Sequence, residues 1–139
     1  MSRKCLTPPV LALSNLNRKW ILGADMPGPK KRITIAARNG VVRASYRGEV
    51  LAESYRALVL SEEGYPPRVY FPSSDVRMSL LCPSERKTHC PHKGDAAYWS
   101  YNAAGRDIGD VAWGYPDPAP DVSMIAGHIS FAEPVEVGP

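Results

Sequence analysis

The chain has 139 residues, of which 44% are hydrophobic and 22% are charged, a composition typical of one soluble globular domain with its own core. No apolar run approaches the roughly 20 residues of a membrane span, and the apolar stretch at 8–13 is too short for a convincing secretion signal. Three cysteines are too few for a disulfide framework, which favours a reducing, cytoplasmic setting.

The net charge of +3 is unevenly distributed along the chain. Residues 1–32 contain seven Lys or Arg and one acidic residue, whereas residues 33–139 contain ten basic and thirteen acidic residues. We expect residues 1–26 to be a basic, disordered extension and residues 27–139 to form a single compact β-rich domain, because Pro27-Gly28-Pro29 disfavours helix and strand alike. A mildly acidic domain argues against a nucleic-acid partner, and the lack of a long apolar run argues against a membrane partner.

After this segment, apolar and polar residues alternate with the period of β-strands. Asn39-Gly40 and Arg47-Gly48 are typical of two-residue hairpin turns and predict that the first three strands form an antiparallel meander. The predicted strands are 33–36, 41–46, 49–54, 57–60, 68–71, 97–101 and 107–113.

The remaining segments are predicted to be short or irregular. Ser73 or Ser74 is expected to cap one helical turn that runs through Leu80. Residues 82–87 are polar and irregular, and three prolines make 115–120 a rigid loop. One short helix is predicted over 122–129, with Asp121 as its cap and an apolar face. Together these elements predict a mainly β, α+β domain that closes into a small barrel-like fold with one C-terminal helix.

Residues 89–99 combine a thiol, two imidazoles, an ammonium group, a carboxylate and two aromatic rings. Cys90 is a candidate nucleophile because cations stabilise a thiolate, and His89, His92 and Lys93 are near it in sequence. The alternative is a buried cysteine that behaves as a small, inert hydrophobic residue.

Lys93 is a candidate contact for an anionic ligand, and Gly94 would let the backbone approach that ligand closely. The alternative is a surface turn in which Lys93 pairs with Asp95. Arg56 and Asp75 are isolated charges beside apolar strands. Their side chains either reach a pocket or simply pair with each other.

Seven aromatic residues of the predicted β domain are numerous enough to line a pocket for a planar ligand, or to form core. These residues are Tyr65, Tyr70, Tyr98, Trp99, Tyr101, Trp113 and Tyr115.

A zinc site is a weaker interpretation of the same region. Cys82, His89, Cys90 and His92 are zinc-type ligands, but their spacing matches no CxxC knuckle. We therefore expect no metal and no cofactor, and a zinc-stabilised β module remains an alternative.

Several blocks over about residues 27–132 resemble the domain-of-unknown-function 427 family, whose members are sometimes catalogued as nucleotidyltransferase-like. The blocks are Ser54-x-Arg56-Ala57-Leu58-x-Leu60, Gly64-Tyr65-Pro66-Pro67-x-x-Tyr70-Phe71-Pro72-x-x-Asp75-Val76, His89-Cys90-Pro91-x-Lys93-Gly94, Tyr98-Trp99 and Ala112-Trp113-x-Tyr115-Pro116. The resemblance implies a compact, mainly β fold that is β-tent-like. His92 departs from the pattern, since an aromatic residue is usual at that position. The family's motif residues correspond here to Arg56, Tyr65, Tyr70, Asp75, Cys90, Lys93, Gly94, Tyr98 and Trp99.

These observations predict a pocket around residues 89–94 that binds or transforms a small polar or anionic molecule. Cys90 would be the nucleophile or a polar anchor, and His89 or Asp75 an acid or base. Lys93, Gly94 and Arg56 would contact the ligand, with Tyr65, Tyr70, Tyr98 and Trp99 in the pocket walls. The alternative is a non-catalytic ligand-sensing or protein-interaction module. The sequence leaves catalysis and oligomeric state open.

Overall fold

Ten antiparallel β-strands make up most of residues 32–103 and 105–139, the part of the chain that the structure, a computed structural model, describes. The predicted extension at 1–26 lies outside the described residues. The strands are β1 (Ile33–Ala37), β2 (Val42–Tyr46), β3 (Glu49–Ser54), β4 (Leu58–Glu62), β5 (Arg68–Pro72), β6 (Leu81–Cys90), β7 (Gly94–Ala103), β8 (Arg106–Gly114), β9 (His128–Phe131) and β10 (Glu136–Gly138).

The strands form two sheets, which confirms the predicted mainly β, antiparallel fold. One sheet has seven strands in the order β1-β4-β5-β9-β8-β7-β6, and the other has three in the order β10-β2-β3. A bridge between Ala52 and Val76 links β3 to the segment that follows β5. The described strands form no closed barrel, since β1 and β6 end the larger sheet.

The predicted meander of the first three strands is only half correct. Arg47 and Gly48 have φ of 51° and 85° and join β2 to β3, as a type I′ hairpin requires. At Asn39-Gly40 only the glycine has a positive φ, 79°, so no such hairpin forms there. β1 instead pairs with β4, because the alternating pattern of a strand selects a buried face and not a partner.

Residues 82–87, predicted to be irregular, belong to the ten-residue strand β6. This strand is the edge of the larger sheet and pairs with β7. An edge strand needs little apolar surface and tolerates a proline, and Pro83 lies where the register shifts. The polar composition of residues 82–87 therefore does not distinguish this edge strand from a loop.

The predicted C-terminal helix over 122–129 is replaced by a short 3-10 segment, Pro120–Ile125. Val122 interrupts it with non-helical backbone angles, and the chain turns at Gly127 with φ of 73° into β9. β9 pairs with β5 and β8, so His128 and Ile129, the last residues of the predicted helix, belong to the sheet. The predicted turn after Ser73 appears as two 3-10 turns, Ser73–Asp75 and Met78–Leu80, without a side-chain cap.

The larger sheet has two covered faces, because successive residues of a strand point to opposite sides. Phe71 of β5 belongs to a core cluster with Val42 and Leu51 of the smaller sheet. The preceding residue, Tyr70, belongs to a second cluster that includes Cys90 and Ile125. The face that carries Tyr70, opposite the smaller sheet, holds the candidate site.

Candidate functional site

A cavity of about 350 Å³ lies on the Tyr70 face of the larger sheet. Side chains of β4, β5, β6, β7 and β8 line it, so five adjacent or near-adjacent strands shape its floor and walls. The cavity contains both apolar rings and ionised groups, the mixture that small-molecule sites use to bury a ligand and orient it.

Strand β6 supplies Arg86, Thr88 and Cys90 to the cavity. These residues are two apart, and the intervening Lys87 and His89 are exposed, as the period of a strand dictates. The predicted segment 89–94 is thus the end of a hairpin in which Cys90 lies opposite Gly94.

The turn of this hairpin is held from both sides. The backbone N–H of Lys93 donates to the carbonyl of Cys90 at 3.2 Å, and the N–H of Ala119 donates to the carbonyl of Lys93 at 2.9 Å. Gly94 has φ of 110°, and a Cβ there would lie 3.3 Å from the carbonyl oxygen of Asp117. Glycine at 94 therefore lets the backbone of residues 117–119 approach and hold the backbone of Lys93. The close approach that Gly94 permits is to this loop.

A buried ion pair joins Lys93 to Glu62 on the cavity wall. Lys93 Nζ lies 2.5 Å from Glu62 Oε1, and the two side chains are 12% and 8% exposed. Burial lowers the pKa of Lys93, but the hydrogen bond that Lys93 donates to Glu62 and its electrostatic attraction to Cys90 and Glu62 outweigh burial and raise the pKa above its ordinary value. Lys93 is thus charged at neutral pH and already neutralised by a carboxylate.

Two buried phenols border this ion pair. Burial raises the pKa of Tyr70, and a hydrogen bond from Trp113 Nε1 to Tyr70 Oη at 3.4 Å opposes that rise only in part. Burial also raises the pKa of Tyr115. Both rings are therefore neutral at physiological pH and present hydroxyl groups near Cys90 and Lys93.

Two aromatic rings form the neighbouring part of the wall, and each carries an arginine. Tyr98 of β7 and Trp113 of β8 lie directly opposite each other in the sheet. The Arg86 guanidinium lies 4.7 Å from the centre of the Tyr98 ring, and that of Arg68 lies 5.4 Å from Trp113. Contacts of this geometry are cation–π interactions.

Most of the predicted site residues meet in this cavity. Cys90 is a free thiol that is only 7% exposed. His89 reaches only the rim: its side chain is 65% exposed, and Nδ1 donates to Asp95 Oδ1 at 2.6 Å. The predicted residues that line the cavity are Tyr65, Tyr70, His89, Cys90, Lys93 and Tyr98.

Other predicted site residues lie outside this cavity. Arg56 and Asp75 pair with each other at 3.3 Å, and Ser54 Oγ donates to Asp75 at 2.6 Å. Trp99 points to the opposite face of the sheet, where it packs on the first core cluster and lines a separate cavity of about 430 Å³. Gly94 is close to the cavity but contributes no lining.

Glu62, Arg68 and Arg86 are lining residues that the sequence did not single out. Glu62 lies beyond the predicted strand 57–60, although extending the alternation of Leu58 and Leu60 by one step places it on the buried face of β4. Arg86 lies in the strand taken as irregular. Their chemistry depends on partners far away in sequence, so composition alone offered no further signal.

The described residues bear on the predicted state of the cysteines and on the alternative of a zinc site. Cys82 is disulfide-bonded, so the low cysteine count did not exclude a disulfide at this position. Among residues 32–103 and 105–139, no group of three or more His, Cys, Asp and Glu side chains is arranged to hold a metal ion.

A comparison with known protein families gives a match over most of the chain. The family described as a domain of unknown function, DUF427, matches residues 34–138. The chain belongs to the DUF427 family. All strands that line the cavity lie within the DUF427 match, so the cavity is part of the family domain. A comparison with curated proteins found no match. Within the described residues, no helix has the length and apolar character needed to cross a membrane.

Proposed function

We propose that this DUF427 domain binds a small polar or anionic molecule in the 350 Å³ cavity of the larger sheet. The observation that supports it best is the convergence of a buried ion pair, a free thiol and neutral phenols in one cavity. These groups come from β4, β5, β6, the turn after β6 and the residue that follows β8, and they are largely buried while the cavity beside them stays open.

The size and charge of the cavity favour a compact metabolite with negative charge. Its volume lies at the lower end of the roughly 300–1,000 Å³ of small-molecule sites. The lining carries three cations, Arg68, Arg86 and Lys93, against two carboxylates, Glu62 and Asp110. In a partly enclosed site of this kind, an excess of positive charge raises the local concentration of anions.

A thiol-dependent reaction is the second candidate function, and the position of Cys90 favours it. The thiol is free, and both Cys90 and Lys93 line the cavity. Cys90 would then form a C–S bond to an electrophilic carbon of the bound molecule while a leaving group departs with its bonding electrons, and His89 on the rim would accept the thiol proton and pass it to the leaving group. Asp75 does not line the cavity and pairs with Ser54 and Arg56 elsewhere, whereas His89 lines the rim, so His89 is the better candidate of the two.

A non-catalytic sensing or protein-interaction module would use the same cavity without thiol chemistry. Binding would then stabilise the folded state in proportion to ligand concentration. Replacing Cys90 with Ser distinguishes the thiol-dependent reaction from the non-catalytic module. In both cases the ligand should still stabilise the variant, but only an enzyme would lose turnover.

The first experiment is the alkylation rate of Cys90 by iodoacetamide, followed by mass spectrometry of the peptide that contains it. We expect a ligand in the cavity to slow alkylation, and small anions to protect better than neutral molecules of equal size. Lys93→Met should also slow the reaction, because it leaves the Glu62 carboxylate in the cavity without its cation, and that negative charge disfavours a thiolate nearby.

Lys87→Met is the matched control, since Lys87 is on the same strand as Cys90, β6, but its side chain is exposed to solvent. It should leave the rate unchanged. If no ligand of a broad panel protects Cys90, and none raises the melting temperature, the proposed binding function is wrong. If ligands protect but Lys93→Met reacts as fast as the parent, the thiol-dependent reaction loses its support.

A further inference from the structure

We propose that Arg86 and Arg68 form a clamp for a ligand with two oxyanion groups, and that this clamp selects anions rather than flat rings. The proposal rests on the proposed binding function and adds the class of ligand and the residues that recognise it. Phosphates and carboxylates share the required chemistry, because both offer paired oxygens to a guanidinium group.

Arg86 has unused hydrogen-bonding capacity. Its Nε is buried and has no hydrogen-bond partner, which is rare for a buried donor and requires an explanation. Its nearest carboxylate oxygen, Asp110 Oδ2, is 3.9 Å from Nη1, too far for a hydrogen bond. The other oxygen of Asp110 accepts a hydrogen bond from Ser84. Asp110 therefore holds Arg86 in place electrostatically without occupying its donors.

The two aromatic rings orient the arginines toward the cavity. Tyr98 and Trp113 are cross-strand neighbours on one face, and each has a guanidinium group near its ring. A guanidinium stacked on a ring keeps its N–H donors at its edge, in the plane that a carboxylate or phosphate approaches. The hydroxyl groups of Thr88 and Tyr98, 2.9 Å apart, hold the Tyr98 ring.

The same arrangement disfavours a ligand that binds through a flat ring. A nucleobase stacking on Tyr98 or Trp113 would have to displace the cation that already lies there. Lys93 is the third cation of the lining, but Glu62 neutralises it at 2.5 Å. Charge recognition therefore falls on Arg86 and Arg68, and the rings serve mainly to position them.

Binding of four probes to the full chain tests the proposal by calorimetry and by melting temperature. The probes are pyrophosphate, succinate, adenosine and adenosine monophosphate. We expect pyrophosphate or succinate to bind, with an affinity that falls as salt is added, and adenosine not to bind. The two anions separate a phosphate ligand from a carboxylate ligand.

Substitution of the arginines tests the residues. Arg86→Gln should weaken anion binding by about tenfold or more, since a hydrogen bond to a charged group is lost. Arg86→Lys should restore only part of the affinity, because an ammonium group lacks the paired donors. Arg68→Gln should weaken binding in the same direction. Arg47→Gln is the matched control: Arg47 also lies near a tyrosine ring, that of Tyr46, but does not line the cavity.

The possible failures are distinguishable. Parental affinity for anions in both Arg86→Gln and Arg68→Gln, with unchanged urea midpoints, would overturn the clamp and leave the binding function standing. Equal affinity for adenosine and adenosine monophosphate would overturn the preference for anions. If no probe binds the parent chain and none protects Cys90, the clamp and the proposed function both fail.

Discussion

Removing either Lys93 or Glu62 alone from their buried ion pair should lower the free energy of unfolding strongly. Its atoms are 2.5 Å apart, and its side chains are 12% and 8% exposed. Removing one partner of a buried pair costs about 3–5 kcal/mol, because the other charge is left buried without compensation. The open cavity lets water reach the remaining charge, so we expect the lower end, about 3 kcal/mol. For a domain of this size that corresponds to a fall in melting temperature of roughly 10 °C or more.

A double-mutant cycle measures this interaction. The variants are Glu62→Gln, Lys93→Met and the two combined, unfolded in urea and followed by tryptophan fluorescence. We expect the double variant to lose less free energy of unfolding than the sum of the single variants, because it buries no unpaired charge. Glu63→Gln is the matched control: Glu63 follows Glu62 in sequence but is exposed, so it should change stability by less than about 0.5 kcal/mol.

Two results would refute this reasoning. One is a pair of single variants that both unfold within about 1 kcal/mol of the parent, as an exposed ion pair would. The other is a double variant whose loss equals the sum of the single losses, which would mean that the two groups do not interact.

Two further predictions concern pH and the backbone at the site. The raised pKa of Lys93 lies above its ordinary value of 10.5, so its stabilisation is present below that pH and is lost as pH rises through the folded-state pKa. The free energy of unfolding should therefore fall less steeply above pH 10.5 in Lys93→Met than in the parent, in urea titrations at several pH values; equal slopes would contradict the raised pKa. Gly94→Ala should cost about 1–3 kcal/mol, because alanine is strained at a φ of 110° and its Cβ meets the Asp117 carbonyl. Gly138→Ala, with open space and no positive φ, should be nearly neutral by the same assay, and a similar loss in both variants would refute the backbone role of Gly94.

Much of the secondary structure could be predicted because it depends on local physics. The turn at Arg47-Gly48 needs positive φ at two successive residues, and glycine makes the second of them easy. The same reasoning failed at Asn39-Gly40, where the strands on either side find better partners elsewhere. The edge strand β6 was missed because an edge needs little apolar surface, so its polar sequence resembled a loop.

Sequence adjacency indicated only one part of the candidate site, the segment 89–94, whereas Tyr65, Tyr70 and Tyr98 were predicted for the pocket walls from their aromatic rings and the family resemblance. Cys90 and Lys93 come from one hairpin, so their residue types within four positions were enough to indicate a site. Arg56 and Asp75 were also singled out, but the fold pairs them with each other away from the cavity. Residue type shows that a charge needs a partner, but not which charge the fold will bring to it.

By itself, the sequence determined the strand periodicity, the hairpin turn at Arg47-Gly48 and the concentration of thiol, imidazole and ammonium groups in segment 89–94. The tertiary structure alone decided that β1 pairs with β4, that Glu62 meets Lys93 across 31 positions of the chain, and that Arg68 lies over Trp113. The physical reason is that alternation fixes which side of a strand is buried, a property of neighbouring residues. The choice of neighbouring strand depends on how all the buried faces pack together, and the cavity is a product of that choice.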